Sequence, residues 1–163
     1  MIYVHPLAPN CCADVVPGIP PGSIEYATDT TRTIAHLVFS GTVTTFPDIR
    51  WIFSHSGGTM PFLLSRFTRQ ELDLKEKAAE RMPKGLMHEL RKFYYDTAQG
   101  NHSGALAALM KIVTPSQVLF GTDFPFRDGA EEIGGLTAFR FKPKDLRAIE
   151  RDNALKLLPG VKA

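Results

Sequence analysis

Apolar residues along this chain alternate between short unbroken runs and runs spaced three or four apart, and the switch recurs four times. Ile2-Tyr3-Val4 is the first short run, closed by His5-Pro6, and the Pro- and Gly-rich stretch from Pro9 to Gly22 predicts a long loop. A helix is expected to begin near Thr28 to Thr31, capped by Asp29, Thr30 or Thr31, with Ile34, Leu37, Val38 and Gly41 along one side. Pro47-Asp48 turns the chain into a second run, Arg50 to His55, whose nearly continuous apolar character fits a strand covered on both faces. Gly57-Gly58 breaks it. From Pro61 to about Ala79, Leu63, Phe67, Leu74 and Ala78 keep helical spacing, with Glu71/Lys75 and Asp73/Lys77 pairs on the wet side. The third run, Phe93-Tyr94-Tyr95, ends at Asp96 and precedes a helix at about Ser103 to Val113 built on Leu106, Leu109 and Met110, which Pro115 ends. Val118-Leu119-Phe120 leads into Gly121-Thr122-Asp123-Phe124-Pro125, and a last helix is expected from about Pro143 to Leu158, with Gly160 just past its end.

Strands alternating with helices at this spacing predict βαβ units, a parallel sheet and right-handed crossovers, in one α/β domain over residues 1–163. The four strand ends carry His5, His55, Asp96 and Asp123. In open α/β sheets and in β/α barrels alike, chemistry sits at the C-terminal ends of the strands.

Composition narrows the partner. At 44% hydrophobic residues, 163 residues are enough to bury a core, which sets disorder aside. The net charge is +2 with both signs interspersed, so neither nucleic acid nor an anionic membrane is expected, and a small-molecule partner is. The N-terminus has no basic region, and no apolar run approaches the roughly 18 residues of a membrane helix. Cys11 and Cys12 are adjacent, so they neither close a structural loop nor form a CxxC knuckle, and a cytoplasmic location is expected.

Each strand-end residue has a plain reading by itself. His55 fits a turn-bonding histidine as well as a functional one, Asp123 a turn aspartate, and His5 an exposed histidine near a terminus. Ser56-Gly57-Gly58 is a weak phosphate-loop candidate without the P-loop lysine. Two histidines and a carboxylate at one sheet edge, however, supply the nitrogen and oxygen donors of a catalytic divalent metal. A serine triad fits less well, because G-x-S-x-G is missing and no histidine follows Asp123. His36, His88 and His102 fall in helical or helix-start positions and read as structural or solvent-facing, and neither cysteine has an activating partner in sequence.

At Val4-His5-Pro6, Ser54 to Pro61 (SHSGGTMP) and Leu119 to Phe126 (LFGTDFPF), the sequence resembles the amidohydrolase-related family, and within it the aminocarboxymuconate-semialdehyde decarboxylase-like branch. Thr31 to Gly41, Phe93 to Ala98 and Ile149 to Leu155 extend the likeness over nearly the whole chain. The resemblance implies a (β/α)8 barrel that holds a divalent metal, zinc or manganese, with His5 as the fifth-strand ligand and Asp123 as the eighth-strand ligand. It implies that His55 is the sixth-strand acid/base, and it assigns Asp96 no role.

A complete barrel of this kind takes about 250 residues, so the resemblance is to a C-terminal half barrel, and no H-x-H pair precedes His5. With two ligands of about three, weak metal retention is expected, and unpaired sheet edges predict a homo-oligomer. The implied activity is nonoxidative decarboxylation of a small aromatic or unsaturated carboxylic acid, in which Asp123 or His55 protonates the carbon that loses carbon dioxide. Hydrolysis of a small ester, lactone or amide is the alternative reaction. A truncated, inactive interaction protein is the alternative of another class.

Overall fold

The four apolar runs pair side by side, all parallel and in chain order. The computed structural model describes residues 1–12 and 15–161. Its strands are β1 (Ile2–Val4), β2 (Trp51–Phe53), β3 (Tyr94–Asp96) and β4 (Val118–Leu119), with Tyr3 opposite Ile52, Ile52 opposite Tyr94, and Tyr95 opposite Val118. Helices α1 (Glu25–Phe39) and α2 (Thr42–Thr45) connect β1 to β2. The next crossover holds α3 (Leu64–Leu74), α4 (Glu76–Arg81) and α5 (Leu86–Leu90), and the third holds α6 (Ser103–Leu109). After β4 come α7 (Gly129–Phe139), α8 (Pro143–Arg147) and α9 (Asn153–Leu157). Among the described residues no helix is long and apolar enough to cross a membrane.

Side chains alternate across the sheet with period two. Val4, Trp51, Phe53, Phe93, Tyr95 and Val118 belong to the main core with Ile34, Leu37 and Val38 of α1 and Leu106 and Leu109 of α6. Phe53 and Phe93 meet edge to face at 4.9 Å, a favoured aromatic geometry. The opposite face carries Ile52, Tyr94 and Leu119, packed against Ala154 and Leu157 of α9. Asn153 anchors that helix, donating from Nδ2 to the carbonyls of Pro115 and Val118 at 2.7 and 2.8 Å.

Several boundaries differ from the sequence expectation. Helix α1 begins at Glu25, so Thr30 and Thr31 are buried inside it and do not cap it. Thr31 Oγ1 instead accepts from the Thr59 N–H at 2.9 Å, tying α1 to the turn after β2. Gly41 lies beyond that helix in a left-handed conformation, where glycine is favoured. The helix expected from Pro61 to Ala79 is divided at Lys75, whose φ is 52°. The break removes the expected i,i+4 pairs: Asp73 bridges to Arg69 at 3.0 Å, and Glu71 Oε1 accepts from the Leu86 N–H at 2.8 Å. The last helix contains one wider turn over Ala148–Asp152, where the Asn153 N–H reaches back to the Ala148 carbonyl. Helix α7 was not anticipated at all. The long loop from Pro9 to Gly22 includes Ala13 and Asp14, which lie outside the described residues.

Candidate metal centre

The chain leaves β2 through a turn in which four consecutive residues have positive φ: His55 at 54°, Ser56 at 55°, Gly57 at 77° and Gly58 at 66°. Glycine adopts this region freely, but at His55 and Ser56 it costs on the order of 1–3 kcal/mol each and must be held by surrounding contacts. At Gly58 a Cβ would stand 2.1 Å from the Ala27 carbonyl oxygen, so the glycine permits α1 to press against the turn. The N–H groups of Gly57, Gly58 and Thr59 are bonded to the Ser54, His55 and Ala27 carbonyls. They are not directed at an anion, which removes the phosphate-loop reading of Ser56-Gly57-Gly58.

Asp96, at the end of β3, holds this turn in place. Its Oδ1 accepts from the His55 N–H at 2.9 Å and the Ala98 N–H at 3.0 Å, and its Oδ2 accepts from the Tyr3 hydroxyl at 2.6 Å. Burial pushes the Asp96 carboxyl above its ordinary range, while the Tyr3, His55 and Ala98 donors pull it partly back. Burial and the neighbouring Asp96 also push the Tyr3 phenol up, which keeps Tyr3 a donor. His55 itself is only 9% exposed. Its Nδ1 bonds to the Ala98 carbonyl at 2.9 Å, a contact in which the ring nitrogen donates, and its Nε2 is buried with no hydrogen-bond partner.

His5, just past β1, and Asp123, four residues past β4, approach that nitrogen from the two sides of the sheet. The His5 ring lies edge-on to His55, centroids 5.2 Å apart, with its Nδ1 bonded to the Pro6 carbonyl at 3.1 Å and its Nε2 3.7 Å from Asp123 Oδ1. One ligand atom from each of His5, His55 and Asp123 falls within 4.8 Å of the other two. The structure thus brings together the three residues singled out in the sequence. His36 and His88, by contrast, are exposed on helix ends, and His102 accepts from the Gly104 N–H at the start of α6.

Two imidazoles whose Nδ1 atoms are tied to carbonyls, together with a carboxylate, match the donor set and outer bonding of a divalent metal site. The unpartnered Nε2 of His55 is a buried polar atom turned toward that group, open to a proton or to a bound molecule. Two cavities flank the group. One, of about 390 Å³, is bounded by His55, Phe62, Ala105 and Ala108; the other, of about 360 Å³, by His5, Asp123, Phe126 and Arg127. Gly22, Tyr26 and Gln99 line both.

Gln99 and Glu132 escaped the sequence reading. Gln99, with φ at 51°, donates from Nε2 to Asp123 Oδ2 and from its backbone N–H to Glu132 Oε1 at 2.7 Å. Glu132 is 1% exposed, and burial pushes its carboxyl up to about 7. Asp128 followed by Glu131 and Glu132 is a helix-start signal that marks this segment, as an N-cap with acidic residues in the first turn.

Residues 2–160 match the model of the amidohydrolase family. Among curated proteins, the chain is 30% identical to the decarboxylase yanB of Aspergillus niger, over 98% of this chain and 46% of that protein. It is also 30% identical to a 6-methylsalicylic acid decarboxylase of Penicillium expansum, over 99% of this chain and 51% of that protein. Among solved structures, a 5-carboxyvanillate decarboxylase from Novosphingobium aromaticivorans, complexed with manganese and a nitrobenzoic acid, superposes with a TM-score of 0.83 at 17% identity, covering 96% of this chain and 47% of that one. The chain thus spans about half the length of these relatives, and its four parallel β/α units match the corresponding part of the solved fold. With a family match running from the first strand to the last helix, this chain belongs to the amidohydrolase family.

Proposed function

We propose that the chain carries metal-binding and proton-transfer residues of a nonoxidative decarboxylase acting on a small aromatic carboxylic acid. The observation that carries this reading is the convergence of His5, His55 and Asp123 at two cavities large enough for a substituted benzoate. Two relatives named as decarboxylases support the reaction class, and the 6-methylsalicylic acid enzyme supports the substrate class. Hydrolysis has no comparable support among them.

His5 and Asp123 would hold the divalent metal, zinc or manganese. Bound there, the metal supplies positive charge that binds the substrate carboxylate or an adjacent ring oxygen and stabilises developing negative charge. His55 acts beside this pair as the acid/base, its backbone fixed by Asp96 and its Nδ1 by Ala98, so that Nε2 is the atom that carries and releases a proton. As the bond to the carboxylate carbon breaks, its electron pair stays on the ring carbon. A proton from His55 or Asp123 then takes the place of carbon dioxide. His55 is largely buried, which keeps that transfer apart from bulk water. The exposed Phe62, Phe124 and Phe126, together with the outer edges of β1 and β4, support self-association as a homo-oligomer.

The test is incubation of the chain with Mn2+ and 6-methylsalicylate in deuterated water. Release of carbon dioxide with one deuterium at the vacated ring carbon is expected. Full metal uptake with no decarboxylation across a panel of hydroxybenzoates would overturn the assignment.

A further inference from the structure

The loop after β3 does more than turn the chain. Gln99 sits there in a left-handed conformation that glycine or asparagine would adopt at lower cost, so some contact of this residue must offset the strain. It makes two, in opposite directions. Its backbone N–H donates to Glu132 Oε1 at 2.7 Å, and its side-chain Nε2 donates to Asp123 Oδ2. With Oδ2 engaged, Oδ1 is the oxygen left facing His5 Nε2 at 3.7 Å.

Glu132 is well placed to anchor this arrangement. It lies on α7, whose start is fixed by Asp128 Oδ1 accepting from the Ala130 N–H at 2.9 Å. The helix is docked directly on the loop: a Cβ at Gly135 would stand 2.6 Å from Asn101 Cβ, and Asn101 Nδ2 donates to the Glu131 carbonyl at 3.0 Å. The same loop supplies the Ala98 carbonyl that orients His55. One short segment therefore sets both the His55 ring and the Asp123 carboxylate.

We propose that Gln99 and Glu132 are positioning residues forming a clasp, in which Glu132 holds the strained Gln99 backbone and Gln99 turns the Asp123 carboxylate so that Oδ1 faces His5. The clasp rests on the metal-binding role proposed above for His5 and Asp123. Groups that orient metal ligands typically contribute about 10- to 100-fold to metal affinity, and that is the effect expected here.

The experiment is a Mn2+ titration of the intact chain followed by electron paramagnetic resonance, with urea midpoints measured in parallel. Gln99→Gly is the informative variant, because it relieves the backbone strain while deleting the side chain. Its urea midpoint should hold or rise while Mn2+ affinity falls about 10- to 100-fold. Glu132→Ala should weaken affinity in the same direction, and Glu132→Gln, which keeps an oxygen acceptor for the Gln99 N–H, should restore most of it. Affinity lost in His5→Ala but unchanged in both Gln99→Gly and Glu132→Ala overturns the clasp alone. Uptake untouched by His5→Ala overturns the metal reading itself. An unmodified chain that takes up no Mn2+ overturns both.

Discussion

On the face of the sheet that packs against α1 and α6, Phe53, Phe93, Tyr95 and Val118 are wholly buried and pack as one layer. One residue along, the same strands present Tyr3, Ile52, Tyr94, Asp96 and Leu119 to the other face, where a smaller apolar cluster gives way to a hydrogen-bonded network leading to the site. Period-two alternation separates the two tasks within strands of two or three residues. The face toward α1 and α6 is set by volume and tolerates little change in it. The polar positions of the other face are set by donor and acceptor geometry, so substitutions there should cost function and less stability than a cavity in the packed layer.

The sharpest contrast is between Phe53 and His5. Phe53→Ala would leave a cavity against Phe93 and should cost about 3–5 kcal/mol, a large part of a typical domain's stability, read as a fall in urea midpoint. His5→Ala, on a side chain 41% exposed, should change stability by no more than about 0.5 kcal/mol while abolishing metal uptake. Comparable losses of stability in the two variants would break the division between the faces.

Within the site, His55→Ala should lower turnover by about 10²- to 10⁴-fold with metal content retained, whereas Asp123→Ala should remove both. Metal analysis beside rate measurement decides this, and a metal-free His55→Ala would reverse the assigned roles. Tyr3→Phe tests the network at its edge. It deprives buried Asp96 Oδ2 of its donor and should cost about 1–3 kcal/mol without altering the aromatic layer.

The smallest expected effect is on pH dependence. Glu132 is raised in the native protein from the ordinary glutamate value of 4.5 to about 7, and Asp96 is raised as well, so the native state holds protons that the unfolded chain releases. Their stabilising contribution is fully present below the unfolded values and is lost as pH rises through the native ones. Urea midpoints should therefore fall between pH 4.5 and 7 by less in Glu132→Gln than in the unmodified chain. Equal slopes would show that Glu132 does not titrate in this window.

The strand ends were legible in the sequence because a buried strand leaves an unbroken apolar run, and the polar residue that closes it is conspicuous. His5, His55 and Asp123 were found in this way, and the structure joins them at one place. Asp96 was visible at its strand end, but its function as an acceptor for Tyr3, His55 and Ala98 depends on contacts between distant segments that spacing does not encode. Helix α7 was missed because Gly134 and Gly135 have low helical propensity, and tertiary packing against Asn101 outweighs it. Lys75 shows the converse: residues 61–79 keep helical periodicity through a point where the backbone breaks. Gln99 gave no signal, since a left-handed glutamine is identified only by its φ.

The sheet order has one more consequence. His5 directly follows β1 and Asp123 lies four residues beyond β4, so they sit on the segments that leave the two outermost strands, yet their side chains come within 3.7 Å of each other. An ion shared by them would join the segments that leave the first and last strands, and its affinity would act as a gauge of how closely those segments approach. Any change that draws those segments apart, even one far from the donors, would register as weaker coordination.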